Sequence, residues 1–320
     1  MRILVTGASG LLGRSTALAL LARGDEVTVL QRRMAGLPCP EVRGDVADLE
    51  IVRRAAWGQD AVVHLAAKVD VVGPWRDYVH ANIDGTRAVV QACRREAVPR
   101  LVHVSSPSVA HSGRALVGVG AAPADPASAR GSYARSKAVA ELEALAADAP
   151  GLAVLVLRPH LVWGPGDTQL VERIVARARV GRLPVLGNGA ALIDTTYLDN
   201  AVDALVAAVD VVDRVHGQAV VVSNGEPRPV REVLTRLCQA AGAPVPTRVV
   251  PAAAARLAGA AVDVVWAVTR RRDTPPLTRF LAEQLTTAHW FDQRNTRELL
   301  SWQPRVGLDE GFDRLAASYA

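Results

Sequence analysis

Tyr133 and Lys137 have the residue types and the spacing that acid–base chemistry requires. Positions i and i+4 share one face of a helix, so the phenol and the ammonium can converge on one point. A free tyrosine, with a pKa of about 10, exchanges protons poorly at neutral pH, and a nearby ammonium lowers that pKa. The pair therefore predicts a general acid/base, Tyr133, and its cationic partner, Lys137.

Lysine is rare in this chain. Only two of the 37 basic residues are lysines, Lys68 and Lys137, and the others are arginines. A position that needs only positive charge would usually be arginine here, so each lysine suggests a need for a compact ammonium. Lys68 follows a predicted strand at the expected reaction cleft. We hypothesise that it binds a substrate carboxylate; the alternative is a surface or cofactor-contact lysine.

Three glycines, Gly7, Gly10 and Gly13, stand between a predicted strand, Arg2–Thr6, and a predicted helix, Leu11–Ala22. In such a loop the first glycine allows a tight turn, the second lets a pyrophosphate approach the backbone, and the third allows close helix–strand packing. The helix N-terminus then presents free N–H groups to the phosphates. The loop therefore predicts dinucleotide binding.

The end of the second predicted strand selects the dinucleotide. A carboxylate there would bind the ribose 2′-hydroxyl of NAD, but this chain has Gln31, followed by Arg32 and Arg33. Arginine binds phosphate through a planar, charge-assisted fork. NADP(H) is therefore predicted over NAD(H), unless the two arginines simply face solvent. Asp45, after the third strand, is expected either to bind the adenine amino group or to cap a helix.

Strands and helices alternate over the first 160 residues. The predicted strands there are Arg2–Thr6, Glu26–Leu30, Val42–Gly44, Ala61–Leu65, Leu101–Ser105 and Ala153–Arg158, and the helices are Leu11–Ala22, Leu49–Ala56, Val79–Ala97 and Ser132–Ala147. This alternation predicts an α/β fold with a doubly wound parallel sheet, a Rossmann domain over residues 1–160.

Glycine- and proline-rich loops appear after residue 160 and predict a smaller substrate-binding domain over residues 161–320. Residues from about 190 to 215 are expected to return to the first sheet. The predicted strands of this region are Ile193–Leu198 and Ala219–Val222, and the helices are Val171–Arg179, Val230–Ala240, Ala252–Val268 and Leu277–Thr286.

The composition excludes several classes of protein. The net charge of +5 is spread along the chain, with neither a lysine-rich tail nor a basic stripe interleaved with aromatics, so no nucleic-acid partner is expected. Three distant cysteines, Cys39, Cys93 and Cys238, predict neither disulfides nor a metal site and fit a reducing, cytoplasmic location. The apolar N-terminus is interpreted as strand, loop and helix rather than as a signal peptide.

The apolar tract from Val249 to Val268 is a poor membrane span, because it is alanine-rich and contains Arg256 and Asp263. An amphipathic helix that covers a pocket or touches a membrane surface remains possible. The following Arg270–Arg272 run is expected to be a solvated loop, with contact to anionic lipid or to a partner enzyme as the alternative.

Ser105 to Ser108 end the fifth predicted strand, at the edge where a doubly wound sheet binds ligands. A serine hydroxyl there either holds a substrate carbonyl oxygen or caps a turn. Together with this segment, further motifs make the chain similar to the extended short-chain dehydrogenases/reductases. They are TGASGLLG (6–13), HLAA (64–67), NIDGT (82–86), YARSK (133–137) and RPHLVWGPGD (158–167).

Within that superfamily the chain resembles the 3β-hydroxysteroid dehydrogenase branch, and there the bacterial 2-alkyl-3-oxoalkanoate reductases of long-chain olefin biosynthesis. The nearer match depends on AAK (66–68), SNGEP (223–227), PLTRF (276–280), EQL (283–285) and His289-Trp290. The resemblance implies that Tyr133 is the general acid/base, Lys137 its partner, Ser106 the carbonyl-positioning hydroxyl and Asn82 a supporting residue. His111 departs from the glycine of the sugar-epimerase branch, which weakens a nucleotide-sugar function.

The predicted site is larger than these residues. The expected cofactor contacts are Gly7, Gly10, Leu11, Leu12, Gly13, Gln31, Arg32, Arg33, Asp45, Val46, Leu65, Ala66, Ala67, Tyr133, Lys137 and Pro159. The expected substrate contacts are Lys68, Ser106, His160 and Trp163. Trp163, Trp266, Phe280 and Trp290 are expected to line an apolar cleft for alkyl chains or to form core.

The expected reaction is hydride transfer from NADPH to a long-chain 3-oxo acid, which gives the 3-hydroxy acid. Three alternatives stay open. A sterol-type 3-hydroxy dehydrogenase would use NAD, and a nucleotide-sugar epimerase or dehydratase would need basic residues in the second domain for the pyrophosphate. An NADP-sensing protein without activity would usually lack the Tyr/Lys pair. A homodimer, partner enzymes of the same pathway and peripheral membrane contact are possible partners.

Overall fold

The structure is a computed structural model that describes residues 1–70, 73–111, 113–269, 275 and 277–320, with only the backbone of residue 267. The described residues form fifteen strands and twelve α-helices. The strands are β1 (Arg2–Thr6), β2 (Glu26–Gln31), β3 (Glu41–Arg43), β4 (Ala61–His64), β5 (Arg100–Val104), β6 (Leu116–Val119), β7 (Ala153–Pro159), β8 (Val162–Trp163), β9 (Val185–Leu186), β10 (Leu192–Ile193), β11 (Thr196–Tyr197), β12 (Gln218–Val222), β13 (Arg228–Pro229), β14 (Val249–Val250) and β15 (His289–Phe291).

The helices connect these strands. They are α1 (Leu11–Arg23), α2 (Leu49–Ala56), α3 (Trp75–Tyr78), α4 (Gly85–Arg95), α5 (Gly131–Leu145), α6 (Val171–Arg179), α7 (Leu198–Val211), α8 (Val230–Ala240), α9 (Ala252–Thr269), α10 (Arg279–Thr286), α11 (Arg294–Leu300) and α12 (Leu308–Ala317).

The main sheet has seven parallel strands in the order β12-β7-β5-β4-β1-β2-β3. The chain winds outward from β1 in both directions, so the switch in direction lies between β1 and β4. Ligands of doubly wound sheets bind at the carboxyl ends of the strands beside such a switch. The register brings Thr6 level with Leu30 and His64 at this edge.

Both faces of this sheet are buried, which explains the uninterrupted apolar runs of its central strands. In β1, Ile3 and Val5 belong to one hydrophobic cluster and Leu4 to another, because successive strand residues point to opposite faces. The first cluster includes residues of α1 and α7, and the second includes residues of α2 and α4. The predicted doubly wound α/β fold is confirmed.

A smaller unit is formed by residues after the sixth strand of the main sheet, β7, together with the earlier strand β6. Its sheet has the order β13-β10-β15-β6, and its core contains Trp163, Tyr197 and Phe312. The chain then returns to the main sheet later than expected: α7 packs against α1, and β12 pairs with β7 at the sheet edge. The returning segment therefore extends to Val222, beyond the expected limit near 215.

Two local predictions were wrong, and short elements were missed. The expected strand Ile193–Leu198 is two short strands, β10 and β11, and Leu198 already begins α7. The expected helix Val79–Ala97 begins with a π-helical segment, Val79–Asp84, before the α-helical part. Strand β6 was not predicted, because its sequence, LVGV, is short and lies only partly buried.

Helix α9 packs against α10 and leaves Leu257, Val264, Val265 and Val268 largely exposed. Among the described residues, no helix has the combination of length and apolar character that crossing a membrane demands. The Arg270–Arg272 run, for which a lipid or partner contact was considered, lies outside the described residues.

Candidate active site

A cavity of about 890 Å³ opens at the carboxyl edge of the main sheet. All the predicted cofactor contacts except Arg33 line it, together with Ser106 and His160. Its other wall comes from the smaller unit and is largely apolar, with Leu161, Ile174, Ile193, Leu234, Phe280 and Phe291 among the lining residues. The cavity therefore joins a nucleotide-type loop to an apolar chamber.

The three loop positions are glycine for different structural reasons. Gly7 has φ +78°, and a Cβ there would lie 2.7 Å from the backbone nitrogen of Ala66. A Cβ on Gly13 would collide with the carbonyl oxygen of Gly7. A Cβ on Gly10 would meet only that same oxygen, at 3.5 Å, so the space beside Gly10 is open to the cavity.

Helix α1 begins at this loop without a side-chain cap and with no acidic residue in its first turn. Its first N–H groups and the positive end of its dipole are therefore available to an anion. With the open space at Gly10, this cradle fits the pyrophosphate of a dinucleotide.

The residues at the end of β2 fit the ribose that carries the 2′-hydroxyl or 2′-phosphate of a dinucleotide. The Gln31 side chain is buried, and neither its amide oxygen nor its amide nitrogen has a partner in the structure. These two unpaired groups suit ribose hydroxyls or a phosphate oxygen. Arg32 is exposed and lines the cavity, whereas Arg33 is exposed but is not among the described lining residues. The structure thus separates the two arginines and does not support the cofactor contact predicted for Arg33.

Asp45 lines the cavity at the same end, and both of its carboxylate oxygens have partners in the protein. Oδ1 accepts the N–H of Ala47 at 2.9 Å, and Oδ2 lies 3.2 Å from Nε2 of His80. These two hydrogen bonds, with the charges of His80 and Arg32, lower the pKa of Asp45 against the opposing effect of burial. The carboxylate therefore has a local turn contact in addition to its place in the cavity wall.

Tyr133 and Lys137 lie in α5 and both line the cavity. Lys137 Nζ donates to the carbonyl oxygen of Val104 at 2.6 Å. Burial lowers the pKa of Lys137 to about 8, although the charge of Glu141 acts in the opposite direction. Burial raises the pKa of Tyr133, and a hydrogen bond with Ser106 opposes this effect. The net pKa of Tyr133 is therefore raised, not lowered as the Tyr/Lys spacing predicted, because burial has the largest effect.

Ser106 combines the two roles considered for it. Its Oγ accepts the N–H of Ser108 at 3.3 Å and lies 2.9 Å from Ser108 Oγ, so it caps the 3₁₀ turn Pro107–Ala110. The same hydroxyl hydrogen-bonds to Tyr133 and lines the cavity. Its cap thereby fixes the hydroxyl beside the phenol, where it can hold a carbonyl oxygen.

Asn82 is a positioning residue, because it does not line the cavity but connects two elements that do. Its Oδ1 accepts the N–H of Lys68 at 2.6 Å, and its Nδ2 donates to Ser136 Oγ at 2.8 Å and to the Lys68 carbonyl at 3.1 Å. Ser136 Oγ in turn donates to the carbonyl oxygen of Tyr133 at 2.8 Å. The π-helical segment thus links the loop after β4 to α5.

Two predicted substrate contacts do not reach the cavity. Lys68 Nζ pairs with Asp70 at 2.6 Å and lies 5.3 Å from the centre of the Tyr78 ring. Trp163 is fully buried in the smaller unit, where it stacks on Phe312 and donates to Thr195 Oγ1 at 3.0 Å. Neither is among the described lining residues, so the structure does not bring them to the cavity that holds Tyr133 and Ser106.

Of the aromatic residues expected to line an apolar cleft, some line the cavity and others do not. Phe280 lines the cavity, whereas Trp163, Trp266 and Trp290 are not among the described lining residues. Two histidines that sequence reasoning did not assign to the substrate, His111 and His289, line it beside His160. No local pattern indicates His289, because it comes from a short strand more than a hundred residues beyond the Tyr/Lys pair.

Comparison with known proteins determines the family. The model of the NAD dependent epimerase/dehydratase family matches residues 3–223. The chain belongs to this family. Among curated relatives, 2-alkyl-3-oxoalkanoate reductase of Stenotrophomonas maltophilia is 41% identical over 100% of both chains. Human sterol-4-alpha-carboxylate 3-dehydrogenase, decarboxylating, is 28% identical over 99% of this chain and 88% of its own.

Among solved structures of the epimerase/dehydratase fold, MoeE5 in complex with UDP-glucose and NAD has a TM-score of 0.74 and 26% identity. The match covers 99% of this chain and 98% of MoeE5. Named reductases and dehydrogenases of this family, and the fit of the loop and Gln31, make the chain an oxidoreductase that uses a nicotinamide cofactor.

Proposed function

We propose that this oxidoreductase is an NADPH-dependent ketoreductase that reduces a 2-alkyl-3-oxoalkanoate, or a similar long-chain β-keto acid, to the 3-hydroxy acid. One observation carries the proposal: a single cavity joins Tyr133 and Ser106 to a chamber walled by aliphatic and aromatic side chains. Apolar walls suit alkyl chains, and the few polar groups orient the reacting end. The name of the 41% identical relative specifies such a substrate.

The cofactor, when bound, supplies the hydride; the protein supplies orientation and the proton. The glycine loop, Gln31 and Arg32 would hold the dinucleotide, with Lys137 beside its reactive end. Ser106 donates a hydrogen bond to the substrate carbonyl oxygen and holds it against Tyr133. The raised pKa of Tyr133 keeps its phenol protonated at neutral pH, so the phenol can donate its proton to that oxygen.

Lys137 stabilises the tyrosinate that remains after proton donation. With a pKa of about 8, its ammonium is mostly charged at pH 7, and a positive charge favours the deprotonated phenol. Its buried hydrogen bond to Val104 fixes the ammonium in place.

A sterol-type dehydrogenase is the second candidate, supported by the full-length similarity to the human sterol-4-alpha-carboxylate enzyme. Both relatives' names place an acid group and a 3-oxygen function in the substrate. The similarity to MoeE5, solved in complex with UDP-glucose, would allow a nucleotide-sugar substrate, but the cavity lining argues against it. The basic residues among the described cavity lining, Arg14, Arg32 and Lys137, all belong to the dinucleotide side, which leaves none in the smaller unit for a second pyrophosphate.

The activity is tested by NADPH oxidation with three substrates: a long-chain 2-alkyl-3-oxo acid, a 3-oxosteroid and a UDP-4-keto sugar. We expect the highest kcat/KM for the oxo acid, and Tyr133→Phe should abolish that activity while the protein still binds NADPH. A higher kcat/KM for either other substrate, or full activity of Tyr133→Phe, would contradict the proposal.

The NADPH preference is tested with Arg32→Asp. Because a carboxylate repels a 2′-phosphate and accepts a 2′-hydroxyl, we expect the ratio of kcat/KM for NADPH to that for NADH to fall by about a hundredfold. Arg33→Asp is the matched control, since its side chain carries the same charge outside the cavity lining. An equal change in both variants would point to a general charge effect and against a phosphate contact at Arg32.

A further inference from the structure

Three buried histidines meet in the substrate half of the cavity. His111 follows the 3₁₀ turn after β5, His160 follows β7, and His289 lies in β15; they are 1%, 6% and 3% exposed. The ring centres of His160 and His289 are 5.0 Å apart, and those of His111 and His289 are 6.5 Å apart. All three line the cavity, and no proposed catalytic step uses them.

Four nitrogens of this cluster lack a partner: both of His111, Nδ1 of His160 and Nε2 of His289. A buried polar atom without a partner costs free energy, so these atoms indicate a polar ligand. Among the described residues, no group of three or more His, Cys, Asp or Glu side chains has an arrangement that could hold a metal ion.

The hydrogen bond of His289 defines what its free nitrogen can bind. Nδ1 lies 2.9 Å from the carbonyl oxygen of Thr287, which only accepts, so Nδ1 carries the ring proton. Burial lowers the pKa of His289 to about 4, and it also lowers the pKa values of His111 and His160. In the neutral ring Nε2 therefore presents a lone pair and requires a donor.

The proposed substrate has a group that still needs partners. Its carboxyl carbon lies two bonds from the reacting ketone, so it must lie inside the cavity beside Tyr133 and Ser106. Lys68 is paired with Asp70 outside the lining. Among the described lining residues, the remaining cations belong to the dinucleotide side, and the three histidines form a polar cluster away from it.

We infer that His111, His160 and His289 form the subsite that receives the substrate's carboxyl group together with one proton. This inference rests on the proposed function. A carboxylate cannot bind a lone pair, but a carboxylic acid can donate to Nε2 of His289 while His111, which has both nitrogens free, donates to the other oxygen. A protonated imidazole facing a carboxylate is the same complex with the proton on the other partner.

Other charged groups near the cluster are few. The carboxylate of Glu283 raises the pKa of His111 while Arg130 lowers it, and both effects are smaller than that of burial. A backbone hydrogen bond at Asp194 raises the pKa of His160, and the carbonyl of Thr287 raises that of His289. None of these groups makes the cluster cationic at neutral pH, so the proton must enter with the acid.

The test uses two ligands, a long-chain 2-alkyl-3-hydroxy acid and the secondary alcohol of the same chain without the carboxyl group, each with NADPH, which cannot accept a hydride from them. Uptake of one proton makes the Kd of the acid tighten about tenfold for each unit of falling pH between 8 and 6.5. The Kd of the alcohol should change little. Calorimetry in buffers of different ionisation enthalpy should give about one proton taken up with the acid and none with the alcohol.

Variants test the residues. His289→Asn keeps a donor for Thr287 and removes Nε2, and His111→Phe removes both free nitrogens; each should weaken acid binding at pH 6.5 at least tenfold and alcohol binding less than threefold. His216→Asn is the control, because His216 is exposed and pairs with Asp148.

Two outcomes overturn the inference while the proposed function stands: the acid binds without proton uptake, or the variants weaken acid and alcohol equally. If the wild-type protein reduces no oxo acid, the proposed function itself fails, and the subsite fails with it.

Discussion

Lys137 is the residue whose environment most directly determines how the reaction depends on pH. Burial, with the hydrogen bond to Val104, keeps its ammonium ready to stabilise a tyrosinate, but the same burial moves its pKa to about 8. Arginine is the common cation of this chain, yet a guanidinium has a pKa above 12 and a planar shape that does not fit beneath a phenol. The lysine thus combines the required shape with a titration near neutral pH.

We therefore predict that kcat/KM for reduction of a neutral long-chain ketone falls above pH about 8. The charged form of Lys137 exists below its pKa, so stabilisation of the tyrosinate is present at pH 7 and lost as the pH rises. A neutral ketone is used because its own charge does not change with pH.

In Lys137→Arg the activity should be lower, and the decline should move to higher pH. A decline that stays near pH 8 in this variant would assign the titration to another group.

The glycine loop shows at the scale of an element how one motif serves two purposes. Gly13 is required by the fold, because a Cβ there collides with the backbone of the strand-to-helix turn. Gly10 is required only by a ligand, because the structure leaves open space beside it. The GxxGxxG pattern has glycine at both positions, and only the folded loop shows that the reasons differ.

This difference predicts opposite results for two similar variants. Gly10→Ala should change the free energy of unfolding by less than about 1 kcal/mol and weaken NADPH binding at least tenfold, since the methyl group would occupy the pyrophosphate cradle. Gly13→Ala should lower the free energy of unfolding by about 1–3 kcal/mol because backbone must move. Urea unfolding and fluorescence titration with NADPH measure the two effects. Equal loss of stability in both variants would contradict this division of roles.

The elements that were predicted correctly are those whose evidence is local. Helices α2, α6 and α8 have their expected bounds because amphipathic spacing and their end residues lie within the segment. The small sheet could not be predicted, since β6, β10, β13 and β15 are two to four residues long and find partners far along the chain. The π-helical segment has no sequence signature of its own.

In the candidate site, too, the residues that could be predicted are those whose evidence is local in the sequence. The Tyr/Lys pair, the glycine loop and Ser106 could be predicted, because each is a short motif beside a strand or helix end. The position of Lys68 could not, since its ammonium pairs with Asp70, and no sequence pattern indicates that ion pair. The histidine cluster depends on three segments that only the complete fold brings together.

Across the whole molecule, buried histidines control stability in acid. Burial lowers the pKa of His64 to about 3 and of His289 to about 4, and it also lowers those of His103, His111 and His160. A histidine with a lowered folded pKa stabilises the fold above its unfolded pKa of about 6.5, and this contribution is lost as the pH falls towards the folded pKa.

We predict that the free energy of unfolding decreases between pH 6.5 and 5, by up to about 1.4 kcal/mol per pH unit for each of His64 and His289. Asp194 opposes this trend, because burial raises its pKa to about 6 and its protonation favours the folded state. Urea unfolding at pH 7, 6 and 5 measures the difference. His289→Asn should show a shallower decrease than the wild-type protein, and a free energy that does not vary with pH would contradict the prediction.

The late return of the chain to the main sheet has a consequence for how the protein folds during synthesis. Strand β7 ends at Pro159, but its outer neighbour β12 begins at Gln218, so a nascent chain that has just completed the Tyr/Lys helix still has an open sheet edge. An open edge can pair with other chains. Helix α7, which covers α1, also comes from this late segment. The main sheet therefore cannot be completed during synthesis until residue 222 has emerged.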